Sequence, residues 1–339
     1  MSETSFALEI NEKYTRMCDL RPNGQKIELL SLGSYETATN FFDTDNQLVV
    51  DKQVEIVKRL YGNLRIRKKQ INVIVPDSRT YSQIVEMPKL KEKELIAAIR
   101  YQADEFIPMA IDDTYLDLEI LREDKKNKKL LVLIVAAPKK IVDQIYTVVE
   151  RAGLQPESLE NEMSAAGRIF SEVIQPKQSV YIVVNIGYST TSIYLVDGIT
   201  RLIVFARTIK IGLDLFVKDL KINLNWEENK IIETLKRIGL AKSGNMNLGG
   251  IILPLLKELV SEIEKFILLA RQNLNLEVKN IYLFNFDTNI AYLPQYLEAY
   301  FHIPTTTAPL SESVVQNPIS KSFSQELSAY LSVISGNFR

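Results

Sequence analysis

Apolar and polar residues alternate along residues 6–10 as a short strand, and 17–20 and 26–33 read as two more, with Pro22-Asn23-Gly24 as turn chemistry between the last two. This period of two predicts a meander of three short strands. Across 51–61 the spacing changes: Val54, Ile56, Val57 and Leu60 recur as a helical stripe, with Asp51 as the expected N-cap. Residues 70–76, rich in valine and isoleucine, read as a buried strand. A different order begins near residue 86. Residues 91–106 predict a helix with Leu95, Ala98, Ile99, Gln102 and Phe106 on one side, ended by Ile107-Pro108, because the residue before proline avoids the α region. A strand over 115–121, a charged tip at 124–129, an apolar strand over 129–137 and a helix over 141–152 follow. Gly153 stops that helix.

Residues 161–174 are again helical in pattern, and 179–186 form an apolar strand. A small polar turn at 187–191 leads into strands at 192–197 and 202–209. Helices are expected from Asp214, across 226–239 and across 253–274, then a strand at 278–284, helices at 293–300 and 324–334, and an extended stretch at 301–307. The order of meander, helix and strand in 6–85 therefore recurs in 179–310. The predicted architecture is α/β, with two related lobes flanking a cleft. The expected segmentation is a first lobe in 1–85, an α+β insert in 86–157, a helix returning to the first lobe in 158–178, a second lobe in 179–320, and a closing helix in 321–339 packed on the first lobe.

The length of 339 residues supports this division into more than one core. One cysteine, Cys18, excludes an intramolecular disulfide and a four-cysteine zinc site; one histidine, His302, leaves no Ser-His-Asp or histidine-cluster chemistry to expect. Cys18 reads as a small buried apolar residue, and His302 as a loop border before Pro304. The net charge of −1 gives no global attraction to nucleic acid or anionic lipid. The basic runs at Arg65, Arg67, Lys68, Lys69 and at Lys125, Lys126, Lys128, Lys129 lack the interleaved aromatics that stack bases, so they read as solvated loops. The first residues carry no basic-then-apolar export pattern, and no stretch approaches the roughly 20 apolar residues of a membrane-spanning helix. A cytoplasmic location is expected.

The turn Asn185-Ile186-Gly187-Tyr188-Ser189-Thr190-Thr191 is the most informative local feature. A glycine and three hydroxyls between two strands can point donors at phosphate. Arg207-Thr208-Ile209-Lys210-Ile211-Gly212 completes that hairpin. The stretches Glu86-Met87-Pro88-Lys89-Leu90, Ala98-Ile99-Arg100-Tyr101-Gln102-Ala103-Asp104-Glu105-Phe106-Ile107-Pro108, Val135-Ala136-Ala137-Pro138-Lys139 and Ala152-Gly153-Leu154-Gln155-Pro156 bound the insert. In this order and spacing the chain resembles the PilM family of type IV pilus assembly proteins over roughly residues 6–335, and through it FtsA and other actin-like (ASKHA, ribonuclease H-like) proteins.

The resemblance implies an actin-like fold and an ATP–Mg²⁺ cleft whose residues would be Glu9, Asn11 and Lys13 of a first phosphate loop, Asn185, Gly187, Ser189, Thr190, Thr191 and Gly212 of a second, and Asn285 near the adenosine. This chain departs from the family pattern at each loop. Glu9 and Asn185 stand where aspartates are usual, and an amide is a weaker Mg²⁺ partner than a carboxylate. Asn11 replaces a glycine, and Glu12 would face a phosphate. Phe284 and Phe286 replace the small residues that permit close backbone approach. Efficient phosphoryl transfer, which depends on metal and phosphate positioning, is therefore not expected. The resemblance also implies a partner, the short cytoplasmic N-terminal peptide of a PilN-like inner-membrane protein, held between the first lobe and the insert, with coupling to the pilus motor ATPases and membrane association only through that partner. Ile84, Met87, Leu90, Leu95 and Ile99 are the expected peptide wall; read without the resemblance, they are core residues of the insert. An active actin-like ATPase and an FtsA-like filament are the competing readings; the last residues do not form the amphipathic membrane helix expected of FtsA.

Overall fold

The computed structural model describes residues 5–101, 107–241 and 248–339. The first sheet is built from β1 (Ser5–Ile10), β2 (Tyr14–Asn23), β3 (Lys26–Glu36), β4 (Gln70–Val75) and β8 (Gln155–Asn161), in the order β3-β2-β1-β4-β8. The insert sheet comprises β5 (Tyr81–Pro88), β6 (Thr114–Asp124) and β7 (Lys129–Pro138) in the order β5-β7-β6, all antiparallel. The second sheet contains β9 (Val180–Ile186), β10 (Thr191–Asp197), β11 (Leu202–Ile209), β12 (Asn280–Asn285) and β13 (Thr305–Thr307), in the order β11-β10-β9-β12-β13. In both five-stranded sheets a meander of three antiparallel strands continues into two parallel ones. The duplication expected from the hydrophobic pattern is thus strand for strand.

Among the described residues the helices are α1 (Gln47–Leu64), α2 (Glu92–Tyr101), α3 (Lys139–Arg151), α4 (Glu162–Ile169), α5 (Leu213–Leu224), α6 (Glu228–Arg237), α7 (Leu248–Leu269), α8 (Leu293–Phe301), α9 (Pro318–Ser322) and α10 (Leu331–Ser335). α1 starts before Asp51: the Leu48 N–H donates to the Asn46 side chain, which is the true N-cap, and Asp51 pairs with Arg151 instead. The helix expected over 91–106 is seen as α2; residues 102–106 lie outside the described residues. α7 begins earlier than expected and carries Pro254, and its last turn widens over Ala270–Leu274. β5 and β8 were not expected; Gln155–Asn161 mixes polar residues and proline and gains strand geometry only by pairing with β4. The closing segment is a tight turn over Leu327–Tyr330 followed by α10.

Alternation along the central strands buries both faces. Phe6, Leu8 and Ile10 of β1 pack with α1 and α3, and Val180, Ile182, Val184 and Ile186 of β9 pack under the helices of the second lobe. The opposite faces meet across a middle layer. Ala7 and Cys18 from the first sheet, Tyr181, Val183 and Tyr194 from the second, Met163 and Ala166 of α4, and Leu331, Val333 and Ile334 at the chain's end share one core. Gly336 sits so close to β1 that a Cβ there would lie 2.8 Å from that of Ala7. The insert has its own small core of Met87, Leu95, Ile99, Leu130, Val132 and Ile134.

Candidate functional site

Two crevices bear on function. The first lies between the lobes, where the C-terminal ends of β1 and β9 point at one another. Glu9 and Asn185 hold matching places, one residue before the end of each strand. Arg16 stands directly opposite Glu9 in the β1–β2 ladder. Its guanidinium donates to Glu9 Oε1 at 2.9 Å and to Asn285 Oδ1 at 3.0 Å. Asn285 in turn donates to Asn185 Oδ1 at 3.1 Å, and Asn11 donates to Glu9 Oε1 at 2.6 Å. The chain Asn11–Glu9–Arg16–Asn285–Asn185 thus crosses from lobe to lobe, and every member is buried. Asn285 adopts φ +76°, a conformation asparagine tolerates, which turns its amide inward. Aromatic rings close over the network: Tyr14 stacks on Phe286 at 5.9 Å, and Tyr188 lies 6.1 Å from the same ring.

These residues do not fit a triphosphate and its Mg²⁺. Phosphate loops work by offering free backbone N–H groups, but the N–H groups of Lys13 and Tyr14 donate to Asn11 Oδ1 at 3.0 and 2.7 Å. Lys13 is taken by Glu228 at 3.2 Å and Glu36 at 3.5 Å. Burial lowers its affinity for a proton, but Glu228 and then Glu36 outweigh that, so its ammonium is held more firmly than usual. Glu12 accepts from Ser78 and from Arg79 at 3.2 Å. Gly187 is required by its turn, since a Cβ would meet Thr190 O at 2.7 Å, while its N–H donates to that same oxygen at 2.8 Å. Thr191 is fully buried with no partner for its hydroxyl. Gly212 passes so near the Tyr188 carbonyl that a Cβ would lie 2.1 Å from it. What remains at the mouth is a polar cavity of about 340 Å³ lined by Lys13, Thr37, Asp43, Arg79, Ser189 and Glu228 among others.

A second cluster sits beside this one. Asp77 follows β4 and accepts from Tyr194 Oη of the second lobe and from the Met163 N–H at 3.1 Å, while its own N–H donates to Glu162 at 3.0 Å. Burial pushes the Glu162 carboxyl well above its usual range, and the charges of Asp77 and Glu9 push it further. Burial also raises Asp77, opposed by hydrogen bonds from Tyr194, Ser192 and Met163. The duplication repeats this device: Asp287 follows β12, is raised by burial, and accepts from Thr307 and Ser328.

The second crevice is a trough between β6, the edge of the insert sheet, and β8, the edge of the first sheet. Two adjoining cavities of about 240 and 150 Å³ share Asp117, Val135 and Leu159, and a third of about 210 Å³, joined at Glu119, Leu133 and Ser164, continues between the insert and α4 and β11. Apolar Leu133 and Val135 line its floor, and Arg168 is fastened to Glu160 at its side. Ile84 reaches one end. Met87, Leu95 and Ile99 lie in the insert's own core on the opposite face of that sheet, and Leu90 is exposed beyond the end of β5. Those three offer no surface to a peptide; the trough is made by Asp117, Glu119, Leu133, Val135 and Leu159, which the sequence pattern did not single out.

Arg16, Asp77 and Glu162 were also not singled out. A legible signal existed for Arg16: a charge in the middle of an apolar strand whose true start is Tyr14. The partners of Asp77 and Glu162 are distant in sequence and left no such trace.

A family model described as type IV pilus assembly protein PilM matches residues 9–335. The solved PilM–PilN type IV pilus biogenesis complex contains a chain that is 19% identical, with a TM-score of 0.83 and coverage of 99% of this chain and 98% of that one. MreB5 of Spiroplasma citri, solved with AMPPNP bound, is similar at 12% identity, a TM-score of 0.53 and coverage of 98% and 94%. The ethanolamine utilization protein EutJ of Carboxydothermus hydrogenoformans is similar at 11% identity, a TM-score of 0.51 and coverage of 91% and 86%. None of the curated proteins matches significantly. The two mixed five-stranded sheets and the antiparallel insert sheet are the actin-like ATPase fold.

Proposed function

We propose, from the premise that the chain belongs to the PilM family of type IV pilus assembly proteins, that it is a scaffold which holds an extended segment of a PilN-like inner-membrane partner in the trough between β6 and β8. The trough flanked by two unpaired sheet edges is the observation that carries this reading. An extended peptide can add to either edge through main-chain hydrogen bonds, and apolar pockets beneath receive alternate side chains. Leu133, Val135 and Leu159 supply such pockets. The likeness to a chain from a PilM–PilN complex supports the same partner class.

The interlobe cleft serves structure rather than turnover in this reading. Its loop donors are spent internally, so hydrolysis of ATP is slow or absent. No helix among the described residues is long and apolar enough to cross a membrane; attachment to the inner face of the membrane comes through the partner, and a link to the pilus motors follows from that place in the machine.

The test is calorimetric titration of the full chain with a synthetic peptide of a PilN-like N-terminal segment, beside an ATPase assay. Saturable binding that Val135→Asp abolishes, without turnover, is the expected result. Turnover of Mg²⁺-ATP with no peptide binding would replace the scaffold by an active ATPase.

A further inference from the structure

We propose that Arg16 is a built-in cation that closes the interlobe cleft, so that the angle between the lobes is set by the chain itself and not by a bound nucleotide. An interlobe cleft whose facing ends carry polar groups must neutralise and satisfy them before it can close. In a cleft that closes on a ligand, phosphate and metal do this. Here one guanidinium supplies the opposite charge from within and bonds Glu9 Oε1 and Asn285, while Glu9 Oε2 is buried without a hydrogen-bond partner among the described residues. Arg16 is 2% exposed. It meets the Glu9 carboxylate of its own lobe and the Asn285 carbonyl of the other, at 2.9 and 3.0 Å. Its guanidinium carbon lies 5.2, 5.5 and 5.6 Å from the ring centroids of Phe286, Tyr14 and Tyr330. These rings come from three separate parts of the chain: the second lobe, the first lobe and the closing segment. Each ring attracts a cation through its negative face, so the guanidinium organises three units at once.

The geometry also explains why arginine is needed. Both acceptors are met by one nitrogen, Nη1, while the delocalised and weakly hydrated guanidinium lies among three rings, a setting that suits it better than a strongly hydrated ammonium. Asn11 completes the seal, since its side chain consumes both Glu9 Oε1 and the N–H groups of the β1–β2 turn. Breaking a buried pair leaves an uncompensated charge and is strongly destabilising. The cleft therefore stays shut without any ligand. This goes beyond the peptide reading and is separable from it, because the trough contains none of these residues.

The experiment is thermal unfolding of the full chain as wild type, Arg16→Ala and Arg16→Lys, each alone, with Mg²⁺-ATP, and with methylguanidinium against sodium chloride of equal ionic strength. Wild type melts at the same temperature with and without Mg²⁺-ATP. Arg16→Ala melts roughly 6–10 °C lower and regains part of that loss in millimolar methylguanidinium but not in salt. Arg16→Lys falls between, and decides the matter if the alanine variant does not fold. A rise in the wild-type melting temperature with Mg²⁺-ATP, or either variant melting with the wild type, would overturn the proposal; peptide binding by the wild type is unaffected by either result.

Discussion

The cleft between the lobes and the trough beside the insert differ in what their backbone and rim groups are bonded to. In the cleft, backbone donors at the first turn, the Glu9 carboxylate and the Asn285 amide are bonded to one another. In the trough, two strand edges lie beside each other without pairing, and Asp117 and Glu119 at the rim make none of the described ion pairs. A crevice whose polar groups are mostly bonded to one another resists a ligand, because binding must first break internal bonds; among the described residues, Glu9 Oε2 and the Thr191 hydroxyl are the buried groups there left without a partner. A crevice bordered by unpaired edges gains bonds on binding. In the proposed reading, this difference is the one between a structural seam and an interaction surface within one fold.

The comparison breaks most visibly at the seam. Glu9→Ala strands the Arg16 charge and is expected to cost about 3–5 kcal/mol of stability, read by urea denaturation, with no change in peptide affinity per folded molecule. Gly212→Ala places a methyl into the Tyr188 carbonyl and is expected to cost about 3 kcal/mol. If Gly212 were instead needed only for phosphate approach, stability would hold and only ligand binding would fall.

A third change sharpens the picture in the other direction. Glu162 is buried with one oxygen unpartnered, and burial with the neighbouring Asp77, Glu9 and Glu12 charges raises its carboxyl. The folded state then holds that proton more tightly than the unfolded state. Stability is greatest at or below the ordinary carboxylate range, about 4.3, and declines as pH rises from there toward the raised folded value, after which it levels. Glu162→Gln removes the charge, flattens this decline and stabilises the protein at neutral pH by about 1–3 kcal/mol. Asp77, raised in the same sense by burial, keeps part of the slope. Melting curves across pH for the two proteins check this; identical slopes would mean that Glu162 is ionised at little cost.

The smallest effect on stability belongs to the trough. Glu119→Arg at its rim changes stability by no more than about 0.5 kcal/mol, yet alters peptide affinity and its salt dependence. If affinity is untouched, the peptide does not pass along β6.

Much of the frame was legible in the order of residues. Short apolar-rich runs at 6–10, 17–20 and 26–33, and again within 179–209, marked two meanders, because strands buried on both faces are apolar at nearly every position. Gly187 and Gly153 announced their turns, and the asparagines and phenylalanines at the loops were legible as departures from the phosphate-loop pattern that the resemblance implies. Other features depended on partners far along the chain. β8 is a strand only because β4 pairs with it. Met87, Leu95 and Ile99 share the apolar character of a binding wall, but Met87 of β5 and Leu95 and Ile99 of α2 pack against one another in the insert's own core, and a one-residue change of face along a strand is invisible in composition. Local periodicity determined which segments were strands and helices and how they repeated. Which side of each sheet met the other lobe, and hence that Arg16 would find Asn285 across the cleft and that β6 and β8 would face one another unpaired, was decided only when the chain closed on itself, because those contacts join residues that no local spacing relates.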